Sequence, residues 1–300
     1  MKLDSVLEDF TILTIYGDAR ANACENVDKL LPLIENEGEL LEINLPKNTP
    51  VTCGKNSHEY ELAINLLRAE NIKAILCARG GYGTSRIIDR LNFRKFKKNP
   101  KWIIGFSDVT VLHAHINRRI KTATLHAPMA AAFNDDGYMN EYVLSLKNAM
   151  EGKPNIYQSV PHTFNNIGRA VGELVGGNLA LIVHLIGTPS GLKTKGKILF
   201  LEDIGEQLYS VDRMFVQLKR SGKLDDLAGL IIGGFTDMKD TDRPFGKTIN
   251  ELIHDHLKDY KYPVCFGFPV SHDKENYALK IGVGYKLKVG KVKVSLEELT

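Results

Sequence analysis

Ser107 closes the apolar run Ile103-Ile104-Gly105-Phe106 and is followed by Asp108 and a helical pattern. A serine on a strand-to-helix bend projects its hydroxyl beyond the sheet. The N–H of the next residue, Asp108, then points at any oxyanion formed there, and the helix start adds a partial positive charge. That is nucleophile chemistry. Ser or Asp is equally an N-cap for the helix, and Val109 stands where a GxSxG elbow has its second glycine; the local sequence leaves both readings open. A second bend, Arg79-Gly80-Gly81-Tyr82-Gly83, precedes it. Its glycines allow close backbone approach to a phosphate or a reacting carbonyl, so it could supply a second oxyanion donor opposite Ser107 or be merely a tight turn. It is neither GxGxxG nor a P-loop, because no Lys-Ser/Thr follows.

A serine nucleophile needs a base, and a histidine base needs an acid to orient it. His272 is the candidate base, in the polar loop Ser271-His272-Asp273 after Cys265-Phe266-Gly267-Phe268-Pro269. Glu202 is the candidate acid, at the end of Ile198-Leu199-Phe200-Leu201 and before Asp203, Gly205 and Glu206. A carboxylate there is costly without a partner, whether that partner belongs to a site or to a structural ion pair. His113 with His115, and His254 with His256, are each two apart on helical patterns. Each pair faces two sides of its helix, which argues against joint metal binding and for surface or packing roles.

The elements that must hold these residues alternate in the first half. Strands are predicted at 10–15, 40–45, 74–78 and 102–106, and helices at 25–37, 59–70, 85–91 and 109–116. Such alternation implies a parallel sheet covered on both faces. Turn chemistry at Asn134-Asp135-Asp136-Gly137, a helical pattern around 142–150 and a polar stretch to residue 166 read as a connection. Beyond it come strands at 169–175, 197–202 and 227–233, helices at 179–185, 211–221 and 248–256, and a β-rich tail with short connections. Gly176-Gly177-Asn178 reads as a turn into the helix that follows. The fold class is α/β: an N-terminal parallel-sheet, Rossmann-like domain with a nucleophile elbow over 1–133, a linker over 134–168, and a β-rich C-terminal domain over 169–300.

Composition excludes other classes. Apolar residues at 43% and charged residues at 25% rule out disorder and coiled coil, and 300 residues suffice for a core without disulfide or metal. The net charge of +3, with signs interspersed, gives no footprint for nucleic acid. No 18-residue apolar stretch and no leader-like apolar run occurs, and none of the four cysteines is spaced CxxC. We therefore expect a cytoplasmic protein without nucleic-acid or membrane partners.

Ala78-Arg79-Gly80-Gly81-Tyr82-Gly83, Gly105-Phe106-Ser107-Asp108, Gly176-Gly177-Asn178-Leu179, Phe200-Leu201-Glu202-Asp203 and Gly267-Phe268-Pro269 followed by His272 occur in this order. Together they closely resemble the LD-carboxypeptidase family of serine peptidases, the muramoyltetrapeptide carboxypeptidases, over about residues 10–294. A sister branch of that family hydrolyses the peptide antibiotic microcin C7. The resemblance implies a triad of Ser107 as nucleophile, His272 as base and Glu202 as its orienter, with the Asp108 and Gly81 amides as oxyanion donors. It also implies a homodimer and no metal or organic cofactor, and it displaces capping as the reading of Ser107. The expected substrate is a murein tetrapeptide that loses its terminal D-alanine in peptidoglycan recycling. Arg79 is a candidate for the substrate carboxylate, Asn178 for a hydrogen bond, and Asp203 and Glu206 for an amino end. Two alternatives stand beside this: a microcin-type peptidyl-nucleotide hydrolase, and a non-catalytic module that binds a peptide or nucleotide.

Overall fold

A computed structural model describes residues 12–15, 40–43, 67–68, 73–77, 79–129, 132 and 140–299. The predicted helix at 25–37, most of that at 59–70, and Cys24 and Cys53 lie outside the described residues. The chain divides into two compact units, Met1–Lys153 with Tyr277–Lys280, and Pro154–Asn276 with Ile281–Thr300.

The first unit is built on β1 (Ile12–Ile15), β2 (Leu40–Ile43), β3 (Ala74–Cys77), β4 (Trp102–Ile104), β5 (Thr124–His126) and β11 (Leu279–Ile281), in the order β11-β5-β4-β3-β1-β2. The pairs β2–β1, β1–β3, β3–β4 and β4–β5 are parallel. β3, β4 and β5 are buried at every position, which explains why β3 and β4 read as unbroken apolar runs rather than as alternation; β5, with Thr124 and His126 beside Leu125, carries no such run. After β3 come the short helices α1 (Thr84–Ile87) and α2 (Arg94–Lys98), and after β4 comes α3 (Thr110–His115).

Of the stretch expected to be a linker, residues 140–168 are described, and the helical pattern around 142–150 forms a helix there. Asn140 accepts hydrogen bonds from Tyr142 N and Val143 N, 3.0 and 2.9 Å away, and so caps α4 (Glu141–Met150). This helix buries Val143, Leu146, Ala149 and Met150 in one cluster with Leu76, Trp102, Ile104 and Leu125. Ala278 joins the same cluster, and its N–H donates to Ser145 Oγ at 2.9 Å. The return of Tyr277–Lys280 to the first unit was not anticipated, because so short a segment carries no mark of which sheet it joins.

The second unit centres on a mixed sheet of β6 (Ile156–Ser159), β7 (Gly168–Asn178), β8 (Ile198–Ile204), β9 (Gly229–Thr236), β10 (Val264–Phe266), β12 (Gly284–Val289) and β13 (Val294–Glu298). The order is β10-β9-β8-β7-β12-β13-β6. β7 joins two kinds of sheet. Its first half, Gly168 to Glu173, pairs antiparallel with β12, and its second half, Leu174 to Asn178, pairs parallel with β8. Gly176 and Gly177 thus lie inside a strand, not in the expected turn. A methyl on Gly176 would collide with the carbonyl oxygen of Phe200, and its φ of +145° is itself unsuited to other residues.

Helices α5 (Leu179–His184), α6 (Leu208–Arg220) and α7 (Ile249–Leu257) belong to this unit. α6 buries Leu208, Val211, Phe215 and Leu218, the spacing of a single apolar face. α7 starts on a capping box in which Thr248 and Glu251 each bind the other's backbone N–H.

Candidate active site

In the first unit two bends leave neighbouring strands, and they touch. Ser107 follows β4 with φ of +62°, a conformation that costs a non-glycine residue of order 1–3 kcal/mol and collects at functional positions. It opens the short helical turn Ser107–Val109 that leads into α3, and the N-cap position of that turn is Phe106, with no side-chain cap bond. Beneath it, a methyl on Gly105 would come within 3.1 Å of Cys77 Cβ and Val109 Cγ2 and 3.3 Å of Met129 Sδ, so the elbow sits on packed side chains. Gly80 abuts the serine directly: a methyl there would lie 2.7 Å from Ser107 Cβ and 2.9 Å from its Oγ. At Gly81 a methyl would meet nothing within 4 Å.

The Asp108 side chain ties the two bends together. Its Oδ2 accepts from Thr84 N at 3.0 Å and from Thr84 Oγ1 at 2.7 Å, at the start of α1. The sequence reading gave Asp108 a backbone oxyanion role or a cap on its own helix; a carboxylate capping another helix leaves no local signature. Behind the elbow, His113 donates Nε2–H to Gly105 O at 2.8 Å. Burial lowers its pKa to about 4, opposed by that bond, so the ring is neutral near pH 7. His113 and His115 are both buried, and His115 stacks on Phe93. Arg79 and Tyr82 are exposed on the glycine bend.

In the second unit the candidate base and acid meet. His272 Nδ1 and Glu202 Oε2 are 2.6 Å apart. Glu202 is fully buried and the His272 side chain is 11% exposed. The proton between them belongs on Nδ1 when the carboxylate is ionised, which leaves the Nε2 lone pair available as a base. A short, desolvated His–carboxylate bond fixes the tautomer, orients the ring and stabilises the imidazolium.

Asn178 and Asp203 are engaged with each other rather than facing outward. Asn178 Nδ2 donates to Asp203 Oδ1 at 2.8 Å, while Asn178 Oδ1 accepts from Leu181 N at 3.2 Å. Asp203 also accepts from Ala180 N and Ile204 N, at 2.9 and 2.8 Å. The two side chains thus hold the start of α5 against the end of β8. Burial pushes the Asp203 pKa up to about 6 and the charge of Glu202 adds to this, while the three hydrogen bonds oppose it. Glu206 is part-exposed, and its carbonyl accepts from Lys239 N at 2.8 Å. Among the described residues no group of three or more His, Cys, Asp or Glu could hold a metal ion, and no helix is long and apolar enough to cross a membrane.

Residues missed by the sequence reading are Gly233 and Gly234, on β9 beside Glu202. A methyl on Gly233 would lie 3.3 Å from Glu202 Cβ, and one on Gly234 would overlap Ser271. A Gly-Gly pair inside an apolar strand is a signal of close backbone approach, and it is present in the sequence.

Residues 20–127 match the family model of the LD-carboxypeptidase N-terminal domain, and residues 171–287 that of the C-terminal domain. The "Probable murein peptide carboxypeptidase" of Bacillus subtilis is 34% identical over 226 residues, 72% of this chain and 69% of that protein. The microcin C7 self-immunity protein MccF of Escherichia coli is 25% identical over 263 residues, 76% of this chain and 74% of that one. The crystal structure of muramoyltetrapeptide carboxypeptidase from Oxalobacter formigenes superposes with a TM-score of 0.83 at 25% identity, covering 97% of this chain and 99% of that one.

Proposed function

The chain belongs to the LD-carboxypeptidase family, and from that premise we propose that it removes the terminal D-alanine from a murein tetrapeptide by serine catalysis. It is a serine-type carboxypeptidase; the D-alanine bond and the residue roles are our reading. The observation that carries the reading is the 2.6 Å bond between His272 Nδ1 and the fully buried Glu202.

The chemistry runs in two halves. His272 Nε2 takes the proton of Ser107, and the serine oxygen attacks the carbonyl of the third residue. The oxyanion draws on the Asp108 and Gly81 amides, each worth about 2.7–4 kcal/mol of barrier. His272 then gives its proton to the departing amine of D-alanine. Water, deprotonated by the same imidazole, cleaves the acyl-enzyme. Glu202 holds the ring. The near-neutral net charge of +3 suits a small peptide rather than a polyanion.

The test is incubation with murein tetrapeptide and mass detection of the tripeptide. The reading requires release of D-alanine and its loss, by about 10³-fold or more, in Ser107→Ala. Intact activity in that variant refutes the triad. Cleavage of a peptidyl-nucleotide such as microcin C7, with none of the tetrapeptide, refutes the murein assignment.

A further inference from the structure

β8 and β9 run parallel, but they do not stay in step. Leu201 stands opposite Ile232, whereas Asp203 stands opposite Phe235. Glu202 therefore faces two residues, Gly233 and Gly234, where one would normally be. An extra residue of this kind bends its strand and re-aims nearby side chains. The chain leaving β10 follows the bulged stretch closely. Phe268 N donates to Ile232 O at 3.2 Å, and Gly234 N donates to Val270 O at 2.9 Å.

Neither glycine has a positive φ, so backbone freedom is not why they are glycine. Space is. A methyl on Gly233 would run into Val270 O, and one on Gly234 would overlap Ser271 Cβ and sit 3.3 Å from its Oγ. Ser271 has little room to yield. Its Oγ donates to Glu275 O at 2.9 Å and accepts from Asp273 N at 3.0 Å, and the residue is 4% exposed. His272 is next in the chain, and its bond to Glu202 already stands at 2.6 Å.

We infer that the Gly233-Gly234 bulge is a positioning device for the base: two missing side chains let the loop of Val270, Ser271 and His272 lie on β9 at the depth where His272 meets Glu202. The inference rests on the proposed roles of His272 and Glu202. Gly234 acts through Ser271 and His272, so it is a positioning residue rather than a catalytic one. Raising the loop would lengthen the His272–Glu202 bond and weaken support for the imidazolium.

The experiment is a double-mutant cycle of Gly234→Ala and Ser271→Gly on the full chain, with kcat and KM for D-alanine release. In the wild-type background Gly234→Ala is expected to lower kcat by about tenfold or more. KM should stay within about twofold. Ser271→Gly removes the Cβ in the way, so adding Gly234→Ala to that variant is expected to change kcat by less than about threefold. Wild-type kcat in Gly234→Ala overturns the inference, as does an equal loss in both backgrounds. Should Gly234→Ala alone fail to fold, the comparison of Ser271→Gly with the double variant decides. A double variant that also fails to fold overturns the inference, because the methyl is then excluded by something other than Ser271. Full activity in His272→Ala or Glu202→Gln would instead refute the proposed roles; inactivity there with an unaffected Gly234→Ala refutes the bulge alone.

Discussion

Replacing Gly80 by alanine is expected to cripple turnover while leaving the protein folded. The added methyl would lie 2.7 Å from Ser107 Cβ and 2.9 Å from its hydroxyl oxygen, whereas carbon atoms at rest sit about 3.5–4.0 Å apart. The shortfall is at least about 0.8 Å, to be absorbed by the glycine bend or by the serine. The bend is not free to lift, because the Asp108 carboxylate holds Thr84 through bonds of 3.0 and 2.7 Å. The elbow cannot sink either, with Gly105 wedged against Cys77, Val109 and Met129. Displacements near 1 Å in a reacting group cost about 10²-fold, equivalent to about 2.7 kcal/mol of barrier. The assay is steady-state release of D-alanine from a murein tetrapeptide, with thermal unfolding as the control for folding. Gly81→Ala is the comparison. Its methyl meets nothing within 4 Å and its N–H is retained, so its loss should be at least about tenfold smaller than that of Gly80→Ala. Equal losses in the two variants, or wild-type kcat in Gly80→Ala, would refute the reasoning that contact with Ser107 is what matters.

Glu202→Gln keeps the volume of the side chain but removes the charge facing His272 Nδ1, and kcat should fall by about 10³–10⁴-fold with the fold retained; activity within tenfold of wild type would deny Glu202 its role. Asp203 gives a pH test of stability. Its folded pKa of about 6 is raised above the ordinary 3.8, so the folded state binds the extra proton. The associated stability is complete below about pH 4 and is lost as pH rises through about 6. Asp203→Asn abolishes this loss, so the stability of the variant relative to wild type should climb between about pH 4 and 6, by a few kcal/mol. Denaturant titrations that show a constant difference over that range would contradict it. His113 has the opposite sign: its pKa is lowered from 6.5 to about 4. The stability it contributes is present above about pH 6.5 and is lost as pH falls through about 4, and His113→Gln should flatten that limb of the same titration.

Much of the first unit is legible in local sequence because its strands are short, apolar and punctuated. Ala74–Cys77 and Trp102–Ile104 are buried at every position and each ends in a bend rich in glycine or serine. The same punctuation exposes Ser107 and the glycine bend as candidates. Where the reading strayed, the sequence lacked the partner. Gly176-Gly177-Asn178 has turn composition, yet it continues β7 because the backbone of Phe200 lies where a side chain would go. For Asn178 and Asp203, candidates for substrate contact, it was the structure that added the bonds to each other and to the start of α5.

The sequence alone determined the residue types that the chemistry needs, the alternation that makes a parallel sheet, and the order of motifs that mark the family. Those are local or one-dimensional properties. Only the tertiary structure decided which pairs form. It brought Glu202 to His272 across 70 positions at 2.6 Å, set Gly80 against Ser107, and gave Gly233 and Gly234 their purpose beside Ser271. Contacts between residues far apart in the chain depend on strand register and on the volume left between backbones, and neither is written in the residues one at a time.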